Sequence, residues 1–118
     1  MAKHLEKGKQ GEDIACNYLL KEGYQILFRN WKLEKAEIDI IALEGQELVF
    51  VEVRLRTHAE DIPELSISAR KTELLCEAAS YFADTHTEIN YVTTRFDVIG
   101  IQLRGNKPQL NHYKDVFR

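Results

Sequence analysis

The chain has 118 residues, 44% of them hydrophobic and 30% charged, a length and balance that suit one globular domain spanning 1–118 and exclude a disordered or fibrous chain. No apolar run approaches the roughly 20 residues that a membrane helix requires, and the opening Met-Ala-Lys-His-Leu-Glu lacks the apolar centre of a signal peptide, so a cytoplasmic protein with no membrane partner is expected. The net charge of −3, from 16 basic against 19 acidic residues, argues against a wholly basic nucleic-acid binder and requires any basic face to be local.

Ala15, Cys16 and Leu19, flanked by Ile14 and Tyr18, predict an amphipathic helix over 9–22 that Gly23 stops. Residues 24–29 read as a strand. Residues 37–43 and 47–54 are two further β-branched, apolar strands joined by the turn Glu44-Gly45-Gln46, which makes a hairpin. The polar stretch 57–64, with Pro63, reads as a loop, and 66–84 as a second helix. Residues 90–103 alternate as a long strand, 105–108 turn, and 109–113 add a short edge strand. The order α-β-β-β-α-β, with a hairpin and a crossover helix, predicts an α/β fold with a mixed sheet flanked by helices.

Four polar residues stand out against this pattern. Side chains alternate along a strand, so Phe50, Glu52 and Arg54 share one face of the third strand and Val51 and Val53 the other, which embeds Glu52 in an apolar strand. Asp39 interrupts Ile38-Asp39-Ile40-Ile41 in the same way. At about 100° per residue, Glu12 falls inside the apolar stripe of the first helix and Lys71 inside that of the second. Any one buried Glu or Lys is ordinarily a snorkelling side chain or a salt-bridge partner. Three acids and a lysine on inward faces point instead to one cluster, because an unpaired buried charge costs several kcal/mol and each acid asks for a positive neighbour. Hard divalent cations take carboxylate oxygens, and Glu12, Asp39 and Glu52 match that preference, with Mg²⁺ or Mn²⁺ as the expected ion. Such an ion lowers the pKa of a bound water and neutralises charge on a phosphodiester under attack, and a nearby Lys or Arg stabilises the same charge.

The blocks Gly8-Lys9-Gln10-Gly11-Glu12, Gly23-Tyr24, Arg29-Asn30, Glu37-Ile38-Asp39, Phe50-Val51-Glu52-Val53-Arg54 with Arg56, Lys71, and Arg95-Phe96-Asp97 closely resemble the YraN-like family of small bacterial proteins, over roughly residues 7–101. That family is similar to the restriction-endonuclease-like superfamily, and in particular to archaeal Holliday-junction resolvases, which place an acid on one strand and Glu-x-Lys on the next. The resemblance implies a restriction-endonuclease-like fold with Asp39 and Glu52 as metal-binding acids and Glu12 as the helical acid. It places Arg54 where the superfamily keeps its catalytic lysine. A guanidinium stays charged and cannot act as a general base, so the inward-facing Lys71 is the candidate for that role. The catalytic set is then Asp39, Glu52, Arg54 and Lys71. Arg56 matches a further basic position, and Ala36 replaces the glycine that usually precedes Glu-Ile-Asp.

The implied function is a divalent-metal-dependent nuclease, or nuclease-like DNA-binding protein, with DNA as partner, branched DNA included. Lys9, Arg54, Arg56, Arg70 and Lys71, with Lys3 and Lys7, are the candidates for one phosphate-facing patch. A homodimer is a further expectation, since cutting two strands takes two sites. The alternative is a non-catalytic nucleic-acid or protein binding module in which the acids pair with Arg54 and Lys71. A third reading is an assembly protein that dimerises through a helix or sheet edge. Asp97 is expected to pair with a basic neighbour. His4, His58, His86 and His112 show no ligand spacing and read as solvated, Trp31 reads as a loop residue that packs over the sheet edge, and Cys16 and Cys76 read as reduced thiols.

Overall fold

The apolar spacing near the N-terminus forms helix α1 (Ala2–Lys21), which starts earlier than the spacing alone marks. It ends where expected: Gly23 takes φ 91°, and the Tyr24 N–H donates to the Leu19 carbonyl at 2.9 Å, closing the last turn. The computed structural model describes residues 2–56, 67–103 and 107–116, with side chains from residue 9 onward. The expected loop 57–64, the helix start at Ser66, residues 105–106 of the expected turn, and the side chains of Lys3, His4, Lys7 and His58 lie outside the described residues.

After α1 come β1 (Gln25–Leu33), β2 (Ala36–Glu44), β3 (Glu47–Arg56), α2 (Ala69–Thr85), β4 (Thr93–Gln102) and β5 (Gln109–Tyr113). The five strands form one sheet in the order β1-β2-β3-β4-β5, in which only the β3–β4 pair is parallel. The fold is α/β with a mixed sheet, and β5 extends the expected order to α-β-β-β-α-β-β.

Each face of the sheet buries its own core. Ala15, Cys16 and Leu19 of α1 pack on Ile40, Ala42, Val49, Val51, Ile99 and Ile101. On the other face, Leu75, Ala78, Ala79 and Phe82 of α2 pack on Ile38, Ile41, Leu48 and Phe50. A sheet covered on both sides needs apolar residues at consecutive positions, which explains the runs Ile40-Ile41-Ala42 and Leu48-Val49-Phe50-Val51.

The strands differ in extent from their sequence signals. β1 continues through Trp31 to Leu33 because Lys32 and Leu33 pair with Glu37 and Ala36. Trp31 is therefore a strand residue, and its ring meets Phe82 edge-on at 5.3 Å between centroids. α2 begins at Ala69: Ser68 is its N-cap and accepts the Lys71 N–H at 3.1 Å. β4 starts at Thr93, and the preceding Val92 N–H donates to the Gln46 carbonyl at 2.7 Å. Among the described residues no helix is long and apolar enough to cross a membrane.

Candidate functional site

The site forms where β2 and β3 part. Their paired register runs from Glu44↔Glu47 to Ile40↔Val51 and stops there. Ile38 packs into the α2-side core and Ile40 into the α1-side core, so the alternation of faces breaks at Asp39. On β1, Asn30 stands between the partners of Ile40 and Ile38 with φ 54°, a conformation that asparagine tolerates better than most residues. The Asp39 carboxylate enters the opening and accepts the Val53 N–H at 2.8 Å, so a side chain satisfies a backbone donor at the point of parting.

Helix α1 brings Glu12 to this opening. Gly11 lies against Val53 and Leu55 of β3, and Arg29 of β1 reaches Glu12 at 3.6 Å and Asp13 at 2.7 Å. The carboxylates of Glu12, Glu37 and Asp39 each offer an oxygen, and the three oxygens lie within 4.8 Å of one another. Glu52, 5% exposed, approaches from the α2 side of β3. It bonds Lys71 of α2, with the Arg54 Nε at 3.6 Å.

The electrostatics follow from this crowding. Burial, then the neighbouring Glu52, pushes the Asp39 carboxyl up to about 8, with Glu12 adding to the rise and the Val53 N–H opposing it. The fold thus concentrates acid at one point and sets cations around its margin: Lys71 and Arg54 at Glu52, Arg29 at Glu12 and, at 3.7 Å, Lys32 at Glu37. Three hard carboxylate oxygens at this spacing suit a divalent cation, which uses few protein ligands and keeps waters for the rest of its shell. The adjoining cleft of about 500 Å³ is bordered by Lys35, Glu37, Asp39, Glu52, Arg54 and Lys71, which leaves room for such waters and for a phosphate.

Of the acids singled out from sequence, Glu12 and Asp39 come together directly, and Glu52 adjoins Asp39 while tied to Lys71. Glu37 completes the trio and was not among the candidates. Its signal was the two-residue spacing Glu37-x-Asp39, which sets both acids toward the same gap. Of the basic candidates, Arg54 and Lys71 border the cleft together, Arg70 is exposed beside Lys71 on α2 and pairs with Glu73 at 3.4 Å, and Lys9 is exposed on α1, which packs on the other face of the sheet. Arg54 and Arg56 are half-buried on the last part of β3.

A second polar network occupies the α1 face near the β2–β3 turn. Asp97 is fully buried and receives Arg95 Nε at 2.9 Å, His112 Nε2 at 2.7 Å and the Asp115 N–H at 3.1 Å. Arg95 also bonds Glu44, Glu47 and the Tyr24 hydroxyl, and the Tyr18 hydroxyl lies 2.9 Å from His112 Nδ1. Burial opposes the Asp97 charge, but the bonds from His112, Arg95 and the Asp115 N–H prevail and hold its carboxyl below the usual range. The expected partner of Asp97 is therefore Arg95. His112, expected in solvent, has a side chain only 6% exposed. His86 is half-buried with its ring stacked on Phe82 at 4.1 Å, so it too departs from the solvated expectation.

The sequence pattern of the family described as "Uncharacterised protein family UPF0102" matches residues 11–101. A UPF0102 protein of Porphyromonas gingivalis is 38% identical over 120 residues, covering 99% of this chain and 87% of its own. One from Flavobacterium johnsoniae is 37% identical over 123 residues, covering 99% and 98%, and one from Clostridioides difficile is 39% identical over 113 residues, covering 95% and 96%. The match spans α1 through β4 and so includes every element that builds the acid cleft, which makes the chain a member of the UPF0102, or YraN-like, family.

Proposed function

We propose that the cleft is a divalent-cation-dependent phosphodiester site and that the protein is a nuclease acting on DNA, branched forms included. The observation that carries this reading is the meeting of Glu12, Glu37 and Asp39 at one opening in the sheet, with the Asp39 carboxyl raised by burial and by Glu52. When bound, Mg²⁺ or Mn²⁺ supplies charge neutralisation and a water of lowered pKa. Glu12, Glu37 and Asp39 would hold the ion. Glu52 positions Lys71 at the mouth of the cleft, and Lys71 with Arg54 supplies positive charge to the phosphate oxygens. Arg54 remains protonated and serves as an electrostatic group rather than a base.

The test is incubation of labelled linear, flapped and four-way DNA with the protein in Mg²⁺ or Mn²⁺, beside Asp39→Asn and Glu52→Gln. Cleavage by the wild type, reduced about 100-fold or more in both variants, is expected. Absence of wild-type cleavage in both metals, or equal cleavage by all three proteins, overturns the reading.

One observation favours a second reading, a binding module without catalysis: Glu52 is already neutralised by Lys71 and faced by Arg54. That module binds DNA or a protein through the same cleft and gains no thermal stability from Mn²⁺. A Mn²⁺-dependent rise in melting temperature that Asp39→Asn removes decides against it.

A further inference from the structure

The acid cleft does not end at Lys71. Lys35, Glu37 and Lys71 border it and also border a second cavity of about 260 Å³ that continues along the start of α2. The wall of this second cavity changes character with depth. Lys35, Ser68 and Arg70 at its rim are exposed, whereas Ala36 and Leu75 at its floor are buried and Leu74 is half-buried. The first turn of α2 brings Arg70 and Lys71 to it and contains no acid.

An apolar floor under a cationic rim is complementary to a flat, weakly polar group attached to an anion, and a nucleotide has that form. The volume lies just below the range of about 300–1,000 Å³ typical of sites for drug-sized ligands, a scale that suits one base with its sugar. A base inside a duplex is stacked on both sides and must leave the stack to enter such a cavity.

We infer that this cavity receives a single unpaired nucleotide beside the phosphodiester in the acid cleft. Its base lies against Ala36, Leu74 and Leu75, and its phosphate lies at Lys35 and Arg70. The preferred substrate is therefore DNA with an unpaired nucleotide at the cleft, such as a flap or a single strand, rather than uninterrupted duplex. The inference rests on the phosphodiester reading of the cleft, but binding can be measured with no cleavage taking place.

Fluorescence anisotropy in excess EDTA, with 5′-flapped, single-stranded and blunt duplex oligonucleotides, tests it. The wild type is expected to bind the flap and the single strand about 10-fold more tightly than the duplex, the scale of one base contact. Leu74→Ser is expected to remove that preference while leaving duplex affinity unchanged, with its fold checked by circular dichroism. Lys35→Ser combined with Arg70→Ser, both on the exposed rim, is expected to weaken flap binding about 5-fold or more and to lower the slope of log affinity against log salt by about 1. Equal binding of flap and duplex by the wild type, or a preference that survives in both the Leu74 and the rim variants, overturns the inference. Absence of cleavage with the preference intact overturns the nuclease reading alone and supports the nucleotide cavity.

Discussion

Asp39 and Asp97 are both buried acids, and their surroundings act on them with opposite sign. Asp97 has charged and backbone donors on its carboxylate, so its folded form holds a proton more weakly than the unfolded chain, and the stability it contributes is lost as pH falls. Asp39 has one backbone donor and an acid beside it, so its folded carboxyl titrates near 8 against an ordinary 3.8. The folded state then binds the proton more tightly than the unfolded chain, and the contribution of Asp39 is complete below about pH 4 and is lost as pH rises toward 8. Asparagine keeps the acceptor for the Val53 N–H and removes the charge. Asp39→Asn is therefore expected to flatten this alkaline loss and to raise stability at pH 8 by about 1–3 kcal/mol, the scale of an uncompensated buried polar group. Melting curves from pH 4 to 9 check it, and a wild type whose melting temperature does not fall over that range contradicts it. Asp39 and Glu52 are legible in the sequence because each interrupts an apolar strand. Glu37 is legible only through its two-residue spacing from Asp39, since its alternation with Ala36 and Ile38 is by itself the ordinary spacing of a solvated face. His112 is hidden for a similar reason: in a five-residue edge strand nothing local announces a buried acid on the neighbouring strand.

The elements come out much as their patterns predict, and the differences lie at their ends, where partners decide. Residues 30–33 carry no strand signal of their own and are drawn into β1 by the ladder to β2. The start of α2 is set by the Ser68 cap rather than by the apolar spacing. Within α1, Gly11 occupies a helical position at a cost of about 1 kcal/mol relative to alanine. A Cβ there would stand 3.5 Å from Leu55 Cδ1, an ordinary contact. Gly11→Ala is therefore expected to stabilise the protein by about 0.5–1 kcal/mol, read as a higher urea midpoint at unchanged slope. A lower midpoint means that α1 has to move away from β3, and with it Glu12 from the opening at Asp39.

At the scale of the molecule the two polar networks have different tasks. The Arg95–Asp97 network ties β5 and the chain as far as Asp115 to the middle of the sheet. Asp97→Ala leaves the Arg95 guanidinium, 8% exposed, and the buried His112 without their shared acceptor. It is expected to cost about 3 kcal/mol, measurable by chemical denaturation, and a loss below 1 kcal/mol contradicts this account. A mixed sheet with flanking helices was legible because a hairpin followed by a helix and a strand calls for a parallel crossover. The break in alternation at Asp39 was not, since it depends on how β1, β2 and β3 twist past one another.

The parallel ladder between β3 and β4 has a consequence for how the protein comes together. Its first partners, Glu47 and Thr93, are 46 residues apart in the chain, whereas β1, β2 and β3 are joined by tight turns. Closing the longer loop costs more chain entropy before any contact repays it. The meander that bears Glu37, Asp39 and Glu52 is therefore the inexpensive half to assemble, and Lys71 reaches Glu52 only when α2 docks. Until then Glu52 stands beside Asp39 without the Lys71 ammonium, so the last step of maturation is also the one that quiets the repulsion between these two acids.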